Sequence, residues 1–275
     1  MSLQHDHQGE DHEQEGIVEA EFGPERQGGH LLGQLPDAHS EAPAPVSALL
    51  SGALLNCCLL AIIRTLRLAP EAVLPFCRTL LTILGTLSVL VAAFLIVRQK
   101  DFKRMLAYSS IEHMGLCALL LCYCQAALTT HVIAHSISKM MLFLLAGNIL
   151  VGFNTRAIKS VTAMFSTMPL TAFLWLFGLF AICGTPPSPL FVTEYLLIAN
   201  LPPLLAILIL VLLFIIFAGM ATACLSMTMG TPLPTNDDRQ PAQSAAEQLN
   251  VVPGAAAIGI LVLGYIAILW MKNLF

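Results

Sequence analysis

From Val46 onward the apolar residues gather in runs long enough to cross a bilayer at ~1.5 Å of helical rise per residue, separated by short polar breaks. The pattern predicts spans near Val46 to Ile63, Phe76 to Val97, Met105 to Tyr123, Thr129 to Val151, Met168 to Leu201, Leu204 to Thr228 and Pro253 to Met271. The expected fold is an all-α integral membrane protein of about seven transmembrane helices. Met168 to Leu201 is too long for one plain crossing, and Gly184, Pro186, Pro187 and Pro189 interrupt it near its middle. Proline lacks an amide donor and disfavours helix at the residue before it, so two half-helices with irregular backbone between them are expected. Such backbone at membrane depth persists only against protein or a wet cavity, and broken helices mark ion sites in transporters.

The chain ahead of these runs is different. Met1 to Gln34 is polar with no apolar period and is expected to be disordered, and it has neither the basic start nor the apolar core of a signal peptide. Its His5, His7 and His12 suit at most weak metal chelation by a flexible tail. Pro36, Pro43 and Pro45 then keep the connector from Leu35 from forming one continuous helix, with Pro45 placed to start the next. The polar, Pro-containing stretch from Gly230 to Asn250 reads as a loop.

Composition agrees with the membrane reading: 57% of residues are hydrophobic, 11% are charged and the mean hydropathy is +0.79. The formal net charge of -4 arises mainly ahead of Arg26, where acidic residues face no Lys or Arg. The remainder is mildly basic, so no nucleic-acid partner is implied. Of the eight cysteines nearly all fall within spans, where thiols act as small apolar fillers, so neither a disulfide framework nor a zinc site is expected.

Against that apolar background the ionisable residues stand out. His131, His135 and Lys139 follow one another at four-residue steps within one span, each step turning only ~40° past a full circle and climbing ~6 Å, so they share a slanting face. Glu112 and His113 lie in the preceding span, and Glu194 lies just past the break, near the start of the second half-helix, where the helix dipole favours its charged form. Any one buried histidine can be a hydrogen-bonded core residue. Six such groups in three spans argue for function, because each charge in hydrocarbon is expensive unless paired or hydrated. Histidine titrates near neutrality and burial pulls lysine and glutamate toward the same range, which suits proton passage. No nucleophile with its base and no phosphate loop is present, so no catalytic residue is assigned.

Lysine and arginine set the expected orientation. One set of alternate loops holds Arg26, Arg98, Lys100, Lys103, Arg104, Arg156, Lys159 and Arg239, and the other holds Arg64, Arg67, Arg78 and Lys272. The richer side is cytoplasmic, which places the amino terminus inside and the carboxyl terminus outside. The Arg98 to Arg104 run reads as an ordinary topology-fixing flank rather than a subunit contact.

Four blocks in order carry a family resemblance: L-P-D-A-H-S-E-A-P-A-P-V-S-A-L-L from Leu35, K-D-F-K-R-M-L-A-Y-S-S-I-E-H-M-G from Lys100, H-S-I-S-K-M-M-L-F-L-L-A-G from His135, and G-T-P-P-S-P-L-F-V-T-E-Y from Gly184. The chain resembles the antiporter-like membrane subunits of respiratory complex I, Mrp antiporters and membrane-bound hydrogenases. Its Glu112-His113 pair is nearest to hydrogenase-4 component F and formate hydrogenlyase relatives. By that resemblance residues 35 to 275 correspond to helices eight to fourteen of a fourteen-helix subunit, and Met1 to Gln34 stands where a first half-channel is expected. Lys139 then matches the central lysine of the second half-channel, His131 and His135 its neighbouring histidines, and Glu194 the terminal group on the broken helix. Ser51 and Asn56 stand where many complex I relatives place His and Lys.

The resemblance implies a proton-translocating subunit of the bacterial inner membrane with no metal, quinone or nucleotide cofactor of its own, partnered by membrane and peripheral subunits of a hydrogenase or formate hydrogenlyase type complex. An Mrp-type cation/proton antiporter subunit and a non-conducting structural membrane protein are the alternatives. A seven-helix receptor is disfavoured, since the ionisable row has no role there.

Overall fold

A computed structural model describes residues 34–230 and 240–272. The reading of Met1 to Gln34 as a disordered tail, its histidines included, lies outside those residues except for Gln34 itself. Every regular element among the described residues is a helix. A short helix, α1 (Gln34–Glu41), is followed after Pro43 by α2 (Ala44–Leu68), whose Leu50–Leu54 turn is π-helical. Next come α3 (Leu74–Val97), α4 (Phe102–Tyr123) and α5 (Gln125–Phe153). The single turn α6 (Met164–Thr167) leads to the two half-helices, α7 (Pro169–Ile182) and α8 (Pro189–Asn200). Then follow α9 (Pro203–Thr228), α10 (Gln240–Gln248) and α11 (Val251–Lys272). Six helices are long and apolar enough to cross a membrane, and the interrupted α7 and α8 stand where a further crossing was expected.

Proline starts much of this. α2, α3, α7, α8 and α9 each carry Pro in the first turn, where the missing amide costs nothing and the fixed φ is already helical. α4 begins differently: the Asp101 carboxylate accepts from the amides of Lys103 at 2.7 Å and Arg104 at 3.2 Å. α5 ends on Asn154, left-handed at φ 51, a conformation asparagine tolerates.

α5 is the axis of the bundle, touching α2, α4, α7, α8, α10 and α11. Within their most apolar windows 78% of α4 and 61% of α5 is buried, against 22% of α2 and of α9. The helices with ionisable groups are therefore the interior ones, and the most apolar helices form the outside. α3 and α4 approach backbone to backbone at Gly85 and Gly115. A Cβ on Gly85 would sit 2.9 Å from the Gly115 carbonyl oxygen, and one on Gly115 would sit 2.7 Å from that of Gly85.

The stretch from Gly230 to Asn250 is not all loop as expected, since α10 occupies Gln240–Gln248. Its reason is tertiary. Glu247 accepts the Thr171 amide at the start of α7, and Asn250 bridges the Thr171 hydroxyl and the Asn148 amide, giving polar residues buried partners.

The Arg98 to Arg104 run also makes contacts within the chain. Lys103 is buried, and its Nζ donates to the carbonyls of Ser40 at 3.2 Å and Ala42 at 2.8 Å. Arg104 pairs with Asp37 and Arg156 with Glu41, so the run and the α5–α6 connection clamp α1 against α4.

Candidate functional site

The polar interior is built where α4, α5 and the break between α7 and α8 meet. The four-residue steps on α5 turn His131, His135 and Lys139 toward α4 and α8, and all three are wholly buried. On α4, His113 is wholly buried and Glu112 nearly so. The sequence-predicted groups are therefore brought to one region, but they are not in one continuous chain of contacts.

Three of them form a row. His113 Nε2 lies 3.1 Å from the Ile182 carbonyl, the last residue of α7, which can only accept. In a neutral His113 the other nitrogen, Nδ1, is then an acceptor, and His131 Nε2 donates to it at 3.2 Å. His131 Nδ1 in turn faces the Thr193 hydroxyl of α8 at 2.8 Å. That hydroxyl is also 2.9 Å from the Leu190 carbonyl, and it has a single hydrogen. If Thr193 donates to His131, the row is neutral; if it donates to Leu190, a doubly protonated His131 donates at both nitrogens. The same heavy-atom positions thus satisfy two protonation states that differ by one proton and one hydroxyl rotation.

His135 lies beside this row, its ring 4.9 Å from that of His113, with neither nitrogen hydrogen-bonded. Lys139 sits one turn further on. Its Nζ donates to the Leu106 carbonyl at 2.6 Å and to the Ser109 hydroxyl, both on α4. Among the described residues Lys139 makes no direct ion pair with a carboxylate, and Glu112 acts on both Lys139 and Glu194 through electrostatics. Neighbouring Ser110 donates to the same Leu106 carbonyl at 3.3 Å and shares a 2.8 Å hydrogen bond with Ser51 of α2. Asn56, also on α2, donates to Ser136 of α5.

The break itself is ordered by its own residues. Gly184 is left-handed at φ +61. Ser188 caps α8 by accepting the Leu190 amide and ties back to α7 by donating to the Ala181 carbonyl at 2.8 Å. Pro186 and Pro187 form the turn, Pro189 starts α8, and α11 packs so closely that a side chain at Gly264 would overlap the Pro187 carbonyl. Glu194 lies 8% exposed, its carboxyl against Gly184 and its Oε1 without a partner. It lines a cleft of about 720 Å³ with Cys183, Phe191, Tyr195, Phe214 and Phe217.

Sequence reasoning missed Thr193, Ser109 and Lys103. Thr193 stands beside Glu194 in the broken-helix block, which is the signal that could have drawn attention to it. Ser109 and Lys103 act through backbone carbonyls or a neighbouring hydroxyl, which periodicity does not reveal.

A family of transmembrane segments described as NADH:quinone oxidoreductase/Mrp antiporter matches residues 34–225. Among curated proteins, a hydrogenase-4 component F homolog of Methylacidiphilum infernorum is 36% identical over 212 residues, 74% of this chain and 44% of that protein. NADH-quinone oxidoreductase subunit M of Pseudomonas aeruginosa is 30% identical over 232 residues, 82% of this chain and 45% of that one. This chain thus spans about half the length of the curated relatives it matches. Among solved structures, a chain of the membrane-bound sulfane sulfur reductase, an archaeal respiratory membrane complex, superposes with a TM-score of 0.73 at 26% identity, covering 86% of this chain and 49% of that chain. A chain of the Mrp complex from Dietzia gives the same TM-score of 0.73 at 19% identity, covering 87% and 54%, a likeness of fold alone.

Proposed function

Since the chain belongs to the NADH:quinone oxidoreductase/Mrp antiporter family of multi-pass membrane proteins, we propose that it conducts protons through the interior of α4, α5 and the broken helix as a subunit of a hydrogenase-4 or formate hydrogenlyase type complex. The observation that carries this reading is the buried row of Ile182, His113, His131 and Thr193, which accommodates an added proton by rotating one hydroxyl. Imidazoles in series accept on one nitrogen and release from the other, so a proton advances without any heavy atom leaving its place.

In this reading Lys139 is the central site on one side of the histidines and Glu194 the terminal site on the other. Glu112, electrostatically linked to both, couples their charge states. Waters complete the steps from Lys139 to His135 and from Thr193 to Glu194, where no direct hydrogen bond joins them. Redox chemistry belongs to partner subunits. Their movement or reduction changes the field at Lys139 and so drives its proton on or off. The amino terminus is cytoplasmic and the carboxyl terminus periplasmic, in the inner membrane, on the lysine and arginine count. The hydrogenase-4 assignment rests on the Glu112-His113 pair and on the 36% identical relative.

The test is proton flux into vesicles reconstituted with the chain under an imposed potential. Lys139→Met is expected to abolish flux above background; unchanged flux refutes the reading. A second reading, cation/proton exchange, is favoured by the unpartnered Glu194 oxygen, a hard donor that suits an alkali cation as well as a proton. Flux that requires sodium on the opposite side would select it.

A further inference from the structure

His39, in the block that begins at Leu35, is wholly buried where α1 packs on α4. Its ring lies nearly flat on Phe143, centroids 5.0 Å apart at 15°, and neither ring nitrogen has a hydrogen-bond partner. Buried polar atoms are almost always partnered, so two bare nitrogens on one side chain need a reason. Packing does not supply one: a phenylalanine would stack on Phe143 equally well and leave nothing unsatisfied.

The surroundings supply the reason. Phe143 is one turn beyond Lys139 on α5, and the cations that act on His39 are Lys139 of α5 and Lys103 of α4. On its own helix, Asp37 and Glu41 point to the rim, where Arg104 and Arg156 hold them. The residues just after His39 open onto a cleft of about 970 Å³ lined by Ser40, Lys103, Asn148, Asn154 and Arg156 among others. His39 thus stands between the buried lysine and a cleft at the end of the bundle that is largely apolar but carries the Lys103 and Arg156 cations and the Asn148 and Asn154 amides on its wall.

We propose that His39 carries protons between this cleft and Lys139, an inference that rests on the conduction reading above. A proton from cleft water adds to the bare ring nitrogen while the opposite nitrogen releases its own proton toward the neutral Lys139 amine. Rotation of the ring on Phe143 then restores the starting tautomer. Burial and the two lysines hold His39 down to about 4, so the resting ring is neutral, with one N–H and one lone pair.

The experiment uses the purified chain in vesicles with an entrapped pH dye and a potassium diffusion potential, comparing wild type, Lys139→Met, His39→Gln and His39→Ala, the last with and without added imidazole. His39→Gln is expected to lower flux at least about tenfold, as removal of a positioned proton carrier does. Imidazole is expected to restore flux to His39→Ala but not to Lys139→Met, which controls for background permeation. Flux within twofold of wild type in both His39 variants, with Lys139→Met silent, overturns the inference and leaves the conduction reading standing. Loss of flux without imidazole rescue assigns His39 a packing role and also overturns it. A wild-type chain no better than empty vesicles, or Lys139→Met equal to wild type, refutes conduction and the relay with it. If His39→Ala fails to insert, the near-isosteric His39→Gln decides by itself.

Discussion

Gly184 and Glu194 are in direct contact across the break: the glycine presents its bare α-carbon to the carboxyl, and a Cβ there would overlap both carboxylate oxygens. Gly184 is also left-handed, which any side chain resists by ~1 kcal/mol. Gly184→Ala is expected to lower stability by about 1–3 kcal/mol, as overpacking does, and to push Glu194 from its seat. Thermal unfolding in detergent checks the first effect and vesicle flux the second, which should fall more than stability does. A variant with normal flux would separate Glu194's seat from conduction.

Thr193 provides a narrower test. Thr193→Val keeps the shape but removes the hydroxyl, leaving His131 Nδ1 unpaired at a cost of about 1–3 kcal/mol. Flux is expected to drop by about tenfold or more, in keeping with ~1.4 kcal/mol per decade. Thr193→Ser, which retains the rotating hydroxyl, should conduct nearly as wild type. Equal flux in the two variants would remove Thr193 from the path.

Acid stability should carry the signature of His39. Its value in the folded chain, about 4, lies below the ordinary 6.5, so the unfolded state binds more protons between those values. Stability is full above about pH 6.5 and falls as pH drops toward 4, by on the order of 3 kcal/mol at 1.36 kcal/mol per unit. The difference between wild type and His39→Gln is the quantity to measure. Parallel pH curves for the two proteins would contradict the prediction.

The α3–α4 contact predicts a purely structural phenotype. Gly115→Ala would drive a methyl group toward the Gly85 carbonyl oxygen at 2.7 Å and against Ser88 and Val89 at 3.0 Å. A loss of about 1–3 kcal/mol is expected. Denaturant or thermal unfolding measures it, and a neutral result would mean that the two backbones separate freely.

The membrane-spanning helices were legible because hydrocarbon fixes their length and because polar breaks between them are short. The break was legible at Pro186, Pro187 and Pro189, which lack the amide donors of a continuous ladder, and at Gly184, which turns the backbone freely beside them. The four-residue ladder on α5 was legible as well, because helical geometry alone fixes a shared face. What was not legible depends on tertiary partners. α10 is a polar segment whose reason for order lies in Thr171 and Asn148, far off in sequence. Lys103 looks like any flanking lysine until the carbonyls of Ser40 and Ala42 are placed before it. His39 sits in a segment whose prolines signal irregular backbone, and nothing local marks its ring for burial. Thr193 is one hydroxyl among many in apolar helices, where most simply bond back to their own turn, as Thr222 does to Ala218.

The interior position of α5 bears on how the chain is made. A lone helix presenting an ammonium and two imidazoles to lipid would meet a penalty of ~2.5–3.5 kcal/mol for the lysine alone during insertion. The acceptors that receive that ammonium, the Leu106 carbonyl and the Ser109 hydroxyl, belong to α4, which leaves the ribosome first. The two helices are joined through Cys124 alone, so they can enter the bilayer as a hairpin with the lysine already met. Biogenesis therefore has a built-in order, in which α4 prepares the berth that makes its successor soluble in oil.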